Sequence, residues 1–152
     1  MERVQALGAP PIVGLSVLSC FDGIGCVAQA LQQAGVPVAR YEAVDNDAED
    51  AGIAAMAEHM NPATERFAGI SRSLPQDINR ITEAHIAALG RIDLIIGGPP
   101  CKDLSRARLQ RDFRGRKGKP GEGFRGKTGY LFPLFVKVVG WVRKHNARLR
   151  SQ

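Results

Sequence analysis

Apolar residues along this chain gather in short runs cut off by glycine or proline, and the runs alternate with segments of helical period. Leu15 to Phe21 predicts a first strand, and Cys26 to Ala34 a helix closed by Gly35 as C-cap with Pro37 just beyond. Val38 to Val44 predicts a second strand and Asp47 to Met60 a second helix, ended by Asn61-Pro62. Thr64 to Pro75 is the least legible stretch, with a short third strand near Ser71 to Leu74. An amphipathic helix over Ile81 to Leu89 stops at Gly90, and Arg91 to Gly98 is the fourth strand. Lys102 to Thr128 has no hydrophobic period and predicts a long mobile loop, a functional lid or a disordered segment. Leu131, Leu134, Phe135, Val138, Val139 and Val142 then recur at helical spacing, which predicts a helix over Tyr130 to Lys144 packing on the sheet. Pro133 falls near its first turn, where proline is tolerated, and Trp141 reads as core or interface rather than as a base-stacking residue. Strands alternating with helices predict a parallel α/β sheet.

Length and composition narrow this little. The 152 residues predict one domain over 15–152 behind a leader of residues 1–14, of which Met1 to Pro11 is expected to fray. No apolar run approaches the ~20 residues of a membrane span, and no secretory leader is visible. Three cysteines without a Cys-x-x-Cys pair argue against a disulfide framework or a zinc site and for a reducing compartment. His59, His85 and His145 have no metal-ligand spacing. Charge changes the picture more. Residues 1–100 carry six Lys/Arg and twelve Asp/Glu, a balance of −6, whereas residues 101–152 carry fifteen against three, a balance of +12. The positive charge begins just after Cys101, which suggests a polyanionic substrate, nucleic acid first; a solvated basic loop or tail is the plainer alternative.

The candidate chemistry sits where strands end. Asp93-Leu94-Ile95-Ile96-Gly97-Gly98-Pro99-Pro100-Cys101 reads as a buried parallel strand that stops abruptly on a stiff, extended turn. Cys101 is thus expected at the carboxyl edge of the sheet, where open α/β sheets bind ligands. It is a nucleophile there or a small apolar residue filling the turn. Asp22-Gly23-Ile24-Gly25 between first strand and first helix is a nucleotide-cradling arrangement, although Val27 and Ala28 depart from the Gly-x-Gly-x-x-Gly fingerprint. Asp45, ~20 positions on, is placed to bind ribose hydroxyls or, with Asn46 and Asp47, to cap the second helix. Together these suggest an adenosine-containing ligand. Asp77 caps the next helix or reaches an adenine amino group, and both readings stay open.

These residues resemble, in order and spacing from about Leu15 to Arg148, the DNA cytosine-5 methyltransferases, most closely their animal de novo branch. Ser19 to Gly25 looks like the family's first motif, which holds S-adenosylmethionine; Asp45 stands at the ribose position, where Glu is more usual; Asp77 with Ile78 matches the adenine-binding aspartate. Gly97-Gly98-Pro99-Pro100-Cys101 matches the catalytic motif, and Lys102-Asp103-Leu104-Ser105 resembles the Asn-Asp-Leu-Ser of the de novo branch. Gly126 to Phe132 is similar to the family's Gly-x-x-Gly-x-Leu-Phe. The resemblance implies a Rossmann-like S-adenosylmethionine-dependent methyltransferase fold, incomplete here, comprising the first four parallel strands with flanking helices. It implies Cys101 as catalytic residue, and Phe21, Asp22, Gly23, Ile24, Gly25, Asp45, Asn46, Asp77, Ile78, Gly98, Pro99 and Leu131 around S-adenosyl-L-methionine. Ser105, Arg106, Arg108, Arg111, Arg114, Arg116 and Lys117 would hold DNA, whose target base must leave the duplex. Only a thiolate adds to C6 of cytosine, and Lys102, Arg106 and Arg108 would favour it. The amino-methyltransferases, by contrast, carry Tyr or Phe after their Pro-Pro.

The family's Glu-Asn-Val strand, Arg-x-Arg strand, target-recognition region and last cofactor motif have no counterpart in these 152 residues. A general acid contributes ~10²–10⁴-fold, so the expectation is an amino-terminal half that is nearly inactive alone. An exposed fourth-strand edge would then be liable to pair with another chain. Two readings follow: half of a methyltransferase that works with its missing carboxyl-terminal half, or an incompetent S-adenosylmethionine- and DNA-binding fragment that partners or regulates a full-length enzyme. An unrelated nucleotide-binding Rossmann protein is a third, which leaves Pro-Pro-Cys unexplained. The partner expected throughout is DNA, with no membrane and no metal. The location expected is intracellular: the nucleus if eukaryotic, the cytoplasm if bacterial or viral.

Overall fold

The computed structural model describes residues 12–49, 51–104 and 122–151. Four parallel strands form one sheet in the order β3-β2-β1-β4, with β1 Leu15–Cys20, β2 Val38–Val44, β3 Ile70–Ser71 and β4 Leu94–Gly97. The helices are α1 Cys26–Gln33, α2 Ala51–Met60, α3 Glu83–Ala88 and α4 Leu131–Arg150. These are four parallel strands of a Rossmann-like fold with flanking helices, a parallel α/β sheet as the alternation of runs implied.

The central strand explains its own burial. Val17, Leu18, Ser19 and Cys20 are all buried, because β1 is paired on both edges and covered on both faces. One face holds Leu18, Cys20 and Val44 against Ile78, Ile86, Ile92, Val138 and Val142, so α3 and α4 close it. The other holds Val17, Val38, Tyr41 and Ala43 with Ala28 of α1 and Phe67, whose ring meets Tyr41 edge-on at 5.8 Å. Each large apolar side chain so buried contributes ~1.5–3 kcal/mol. Arg40 ties one end of the sheet together: its guanidinium donates to the Ser16 hydroxyl, the Leu89 carbonyl and, at 2.9 Å, the Arg91 carbonyl.

Several boundaries move from their expected places, each for a visible reason. The stretch expected as a helix from Asp47 begins as a 3₁₀ turn, Asn46–Glu49, and α2 follows from Ala51. The third strand is Ile70–Ser71 rather than Ser71 to Leu74, because the buried Glu42 carboxylate takes the Leu74 N–H (2.8 Å) and the Ser73 hydroxyl (3.0 Å) in place of a ladder. The helix expected from Ile81 begins at Glu83 as α3, its start fixed by a capping box between Thr82 and His85, and a separate 3₁₀ turn, Ile78–Arg80, precedes it. The helix expected to end at Lys144 runs on to Arg150. The Asn146 side chain pairs with the backbone of Ile92 in both directions (2.7 and 3.2 Å), and Glu83 receives Lys144 at 2.8 Å and Arg148 at 3.5 Å. A 3₁₀ turn, Gly123–Arg125, lies within the stretch expected to be loop; residues 105–121 of that loop lie outside the described residues. No helix among the described residues is long and apolar enough to cross a membrane.

Candidate functional site

The register of the sheet aligns the two turns that carry the candidate chemistry. Cys20 at the end of β1 pairs with Gly97 at the end of β4 on one side and with Val44 at the end of β2 on the other. The glycine turn, Asp45 and the Pro-Pro-Cys turn therefore leave the sheet along one carboxyl edge.

The glycine turn is held from three directions. Phe21 leaves β1 with φ 60°, a backbone conformation few side chains adopt, and its N–H donates to the Val44 carbonyl at 2.7 Å. The Asp45 carboxylate then reaches back, taking the Gly23 N–H on one oxygen (2.8 Å) and the Asp47 N–H on the other (2.8 Å). Below the turn lies Asn61, buried at the end of α2, whose Nδ2 donates to the Gly25 and Ala57 carbonyls at 3.3 and 3.1 Å. Gly25 has φ 79°, and a Cβ there would lie 2.7 Å from that Nδ2, so both backbone conformation and packing require glycine.

A cleft of about 510 Å³ opens at this edge. Of the residues expected around the cofactor, Phe21, Asp45, Asn46, Asp77, Ile78, Gly98 and Leu131 line it. Gly23, Ile24 and Gly25 lie behind the lining, in the turn that Asp45 and Asn61 fasten, and Pro99 stands between the lining residues Gly98 and Pro100. Asp22 is placed differently. It is buried beneath the turn, where one oxygen accepts the Ser19 and Tyr41 hydroxyls at 2.5 and 2.6 Å. Its other oxygen has no partner among the described residues, and burial pushes the carboxyl above its ordinary value. Asp77 does not cap α3, which Thr82 caps, but the 3₁₀ turn Ile78–Arg80: it accepts the side-chain amide of Asn79 (2.7 Å) and its backbone N–H (2.9 Å), which hold the carboxyl below the usual range. It also faces the cleft, so capping and ligand contact are compatible.

Six lining residues were not among those expected around the cofactor: Val44, Asp47, Gln76, Asn79, Pro100 and Tyr130. The Gln76 side chain donates to the Ala43 and Leu74 carbonyls (3.2 and 2.9 Å) and accepts from the Asp45 N–H at 3.4 Å. Asn79 bridges Asp77 to the Tyr130 hydroxyl (3.2 Å), joining the walls contributed by the 3₁₀ turn and by the start of α4. Only Leu131, within the Leu-Phe motif, pointed to that second wall.

Cys101 is solvent-exposed and free, one residue beyond Pro100 of the cleft wall. Cys26 is exposed and free as well, whereas burial pushes the Cys20 thiol up to about 12, which leaves it neutral and inert. Ser105, Arg106, Arg108, Arg111, Arg114, Arg116 and Lys117 all lie outside the described residues.

Parallel strands, a glycine turn, an acidic cleft and an exposed cysteine thus meet at one edge of a Rossmann-like sheet. The model of the C-5 cytosine-specific DNA methylase family matches residues 15–144, and the chain belongs to that family. Membership implies a DNA substrate and cytosine methyltransferase chemistry. The matched span covers all four strands and all but the last residues of α4.

Proposed function

We propose that this chain carries the cofactor cleft and nucleophile of a DNA (cytosine-5-)-methyltransferase that uses S-adenosyl-L-methionine. The observation that carries the reading is the shared edge: Pro100 lines the cleft and Cys101 follows it, exposed to an incoming base. The residues present fit the cofactor. Phe21, Ile78 and Leu131 offer apolar surface to a purine, Asp77 an acceptor to its amino group, and Asp45 acceptors to ribose hydroxyls. The volume falls in the range of small-ligand sites, roughly 300–1,000 Å³. S-adenosylmethionine would supply a methyl group made electrophilic by its sulfonium.

Cys101 acts as a thiolate. Its Sγ forms a bond to C6 of the flipped cytosine, and the C5–C6 π pair moves to C5, where it would take the methyl carbon as the S–CH₃ pair returns to sulfur and leaves a neutral thioether. The C5 proton then leaves to a base, its electron pair restores the C5–C6 double bond, and the C6–S bond breaks to return the thiolate. Lys102-Asp103-Leu104-Ser105 supports assignment to the animal de novo branch. The cations between 106 and 117 are suited to the DNA backbone.

The test is mechanism-based trapping. With 5-fluorocytosine DNA and S-adenosylmethionine the chain is expected to form a denaturation-resistant adduct that Cys101→Ser abolishes. A parallel incubation supplies a carboxyl-terminal family segment with Glu-Asn-Val, because the proton donor to N3 has no counterpart in these residues. Absence of adduct in both incubations sinks the proposal and leaves the binding-only reading. For the cofactor, Asp45→Ala is expected to weaken S-adenosylmethionine binding at least tenfold by calorimetry, about 1.4 kcal/mol; unchanged affinity refutes the assignment.

A further inference from the structure

Cys101 opens a four-residue turn, closed by the Leu104 N–H on the Cys101 carbonyl at 2.9 Å. Lys102 and Leu104 in that turn are exposed, but Asp103 between them is buried, at 7% exposure. Its carboxylate oxygen Oδ2 receives two donors from one distant residue, the Thr128 N–H at 2.8 Å and the Thr128 hydroxyl at 2.9 Å. The Asp103 carbonyl also accepts the Gly123 N–H at 3.2 Å. Gly126 packs directly on the carboxylate: a Cβ there would collide with Asp103 Cγ, so this position too requires glycine. Thr128 in turn accepts the Leu131 N–H at 3.2 Å, at the first turn of α4, beside the Tyr130 and Leu131 that line the cleft.

We propose that Asp103 is a positioning residue for Cys101: its carboxylate fastens the thiol-bearing turn to Thr128 and through it to the cleft wall. The proposal deepens the reading of Cys101 as nucleophile and rests on it. Cys101 is free at its own side chain, so the thiol's place relative to the cleft is set by the backbone on either side. Pro99 and Pro100 stiffen the approach from β4. Asp103 supplies the matching restraint from the other side. Both Thr128 donors converge on one oxygen, so the bond to Thr128 needs an acceptor at that point, which an asparagine could also provide. Misplacement of a reacting atom by ~1 Å can cost ~10²-fold, which sets the scale of the effect.

Two readouts test this, one of them independent of catalysis. In a Cys26→Ser chain, a nitroxide label is attached to Cys101, Cys20 being buried and unreactive, and its mobility is read from the resonance lineshape. Asp103→Ala and Thr128→Val are expected to narrow the lines, whereas Asp103→Asn keeps the restrained spectrum of the parent. In the trapping assay with unlabelled chain, Asp103→Ala is expected to slow adduct formation roughly 10–100-fold, with Asp103→Asn within a few-fold of wild type. S-adenosylmethionine affinity should stay within about twofold in all three, since the carboxylate lies outside the cleft lining. If Asp103→Ala does not fold, Thr128→Val with the carboxylate intact carries the test. A label as restrained in the disrupted variants as in the parent overturns the proposal. So does a loss that Asp103→Asn fails to restore, because the bond to Thr128 would then not account for it. If wild type forms no adduct, the nucleophile reading has failed, and the label still decides whether Asp103 fixes the turn.

Discussion

Asp22 shows how a residue can belong to a motif without facing its ligand. Its sequence neighbours make the glycine turn, yet its carboxylate points inward to Ser19 and Tyr41, and one oxygen is left unpartnered. Burial raises its pKa above 3.8, with the Ser19 and Tyr41 hydroxyls opposing the shift, so the folded state holds the proton more tightly than the unfolded one. Stability from this group is therefore greatest at low pH and declines as pH rises from about 3.8 through the raised value. Asp77 and Asp93, lowered from 3.8, and Glu83, lowered from 4.5, act in the opposite sense: their contributions are lost only as pH falls below those ordinary values. As pH falls through the raised value of Asp22 toward 3.8, Asp22→Asn is expected to flatten the accompanying rise in melting temperature. Melts at half-unit pH steps check this, and an unaltered slope would assign the rise elsewhere.

Helix α4 illustrates what element-scale patterning can and cannot convey. The apolar period from Leu131 to Val142 made the helix legible, and Val138 and Val142 are buried as that period requires. Its last turns carry no such period. They are held by Asn146, whose amide satisfies both the N–H and the C=O of Ile92 just before β4, and by cations on Glu83. Asn146→Ala strands both backbone groups and is expected to cost ~1–3 kcal/mol, read as a lower urea midpoint at unchanged slope. A shift below a few tenths of a kcal/mol would mean water replaces the amide without loss. The exposed Glu83 pairs add little by comparison. The same distinction governs the rest. Strands β1, β2 and β4 and helix α1 were readable because apolar runs and glycine punctuation are local signals. The short β3 was misplaced because Glu42, thirty-one residues from Ser73, supplies the bonds a ladder would have made. The Thr128 clasp on Asp103 left no trace in the pattern, since its partners are 25 residues apart.

At the scale of the whole molecule, seven of the expected cofactor residues line one cleft although they come from five separate stretches of chain. Family motifs disclosed which residues would meet, and the parallel order β3-β2-β1-β4 supplies the reason they do. Every crossover returns the chain to the same starting edge, so each strand delivers its terminal residue to the opposite one. What the motifs did not disclose is the scaffolding behind them. Asn61, Gln76 and Asn79 bind no motif residue in sequence, yet each holds one in space through backbone or carboxylate bonds.

The pairing of Cys20 with Gly97 has a further consequence. Adjacent strands in a sheet keep a spacing of ~4.8 Å, and one residue of travel along a strand is ~3.3 Å. The sheet thus works as a gauge block between cleft and thiol. Their separation is quantised by register, and no side-chain adjustment can retune it continuously. Substitutions in the loops can sharpen or blur the alignment, whereas a single residue inserted into β1 or β4 would move the Pro-Pro-Cys turn past the glycine turn by more than the length of a covalent bond.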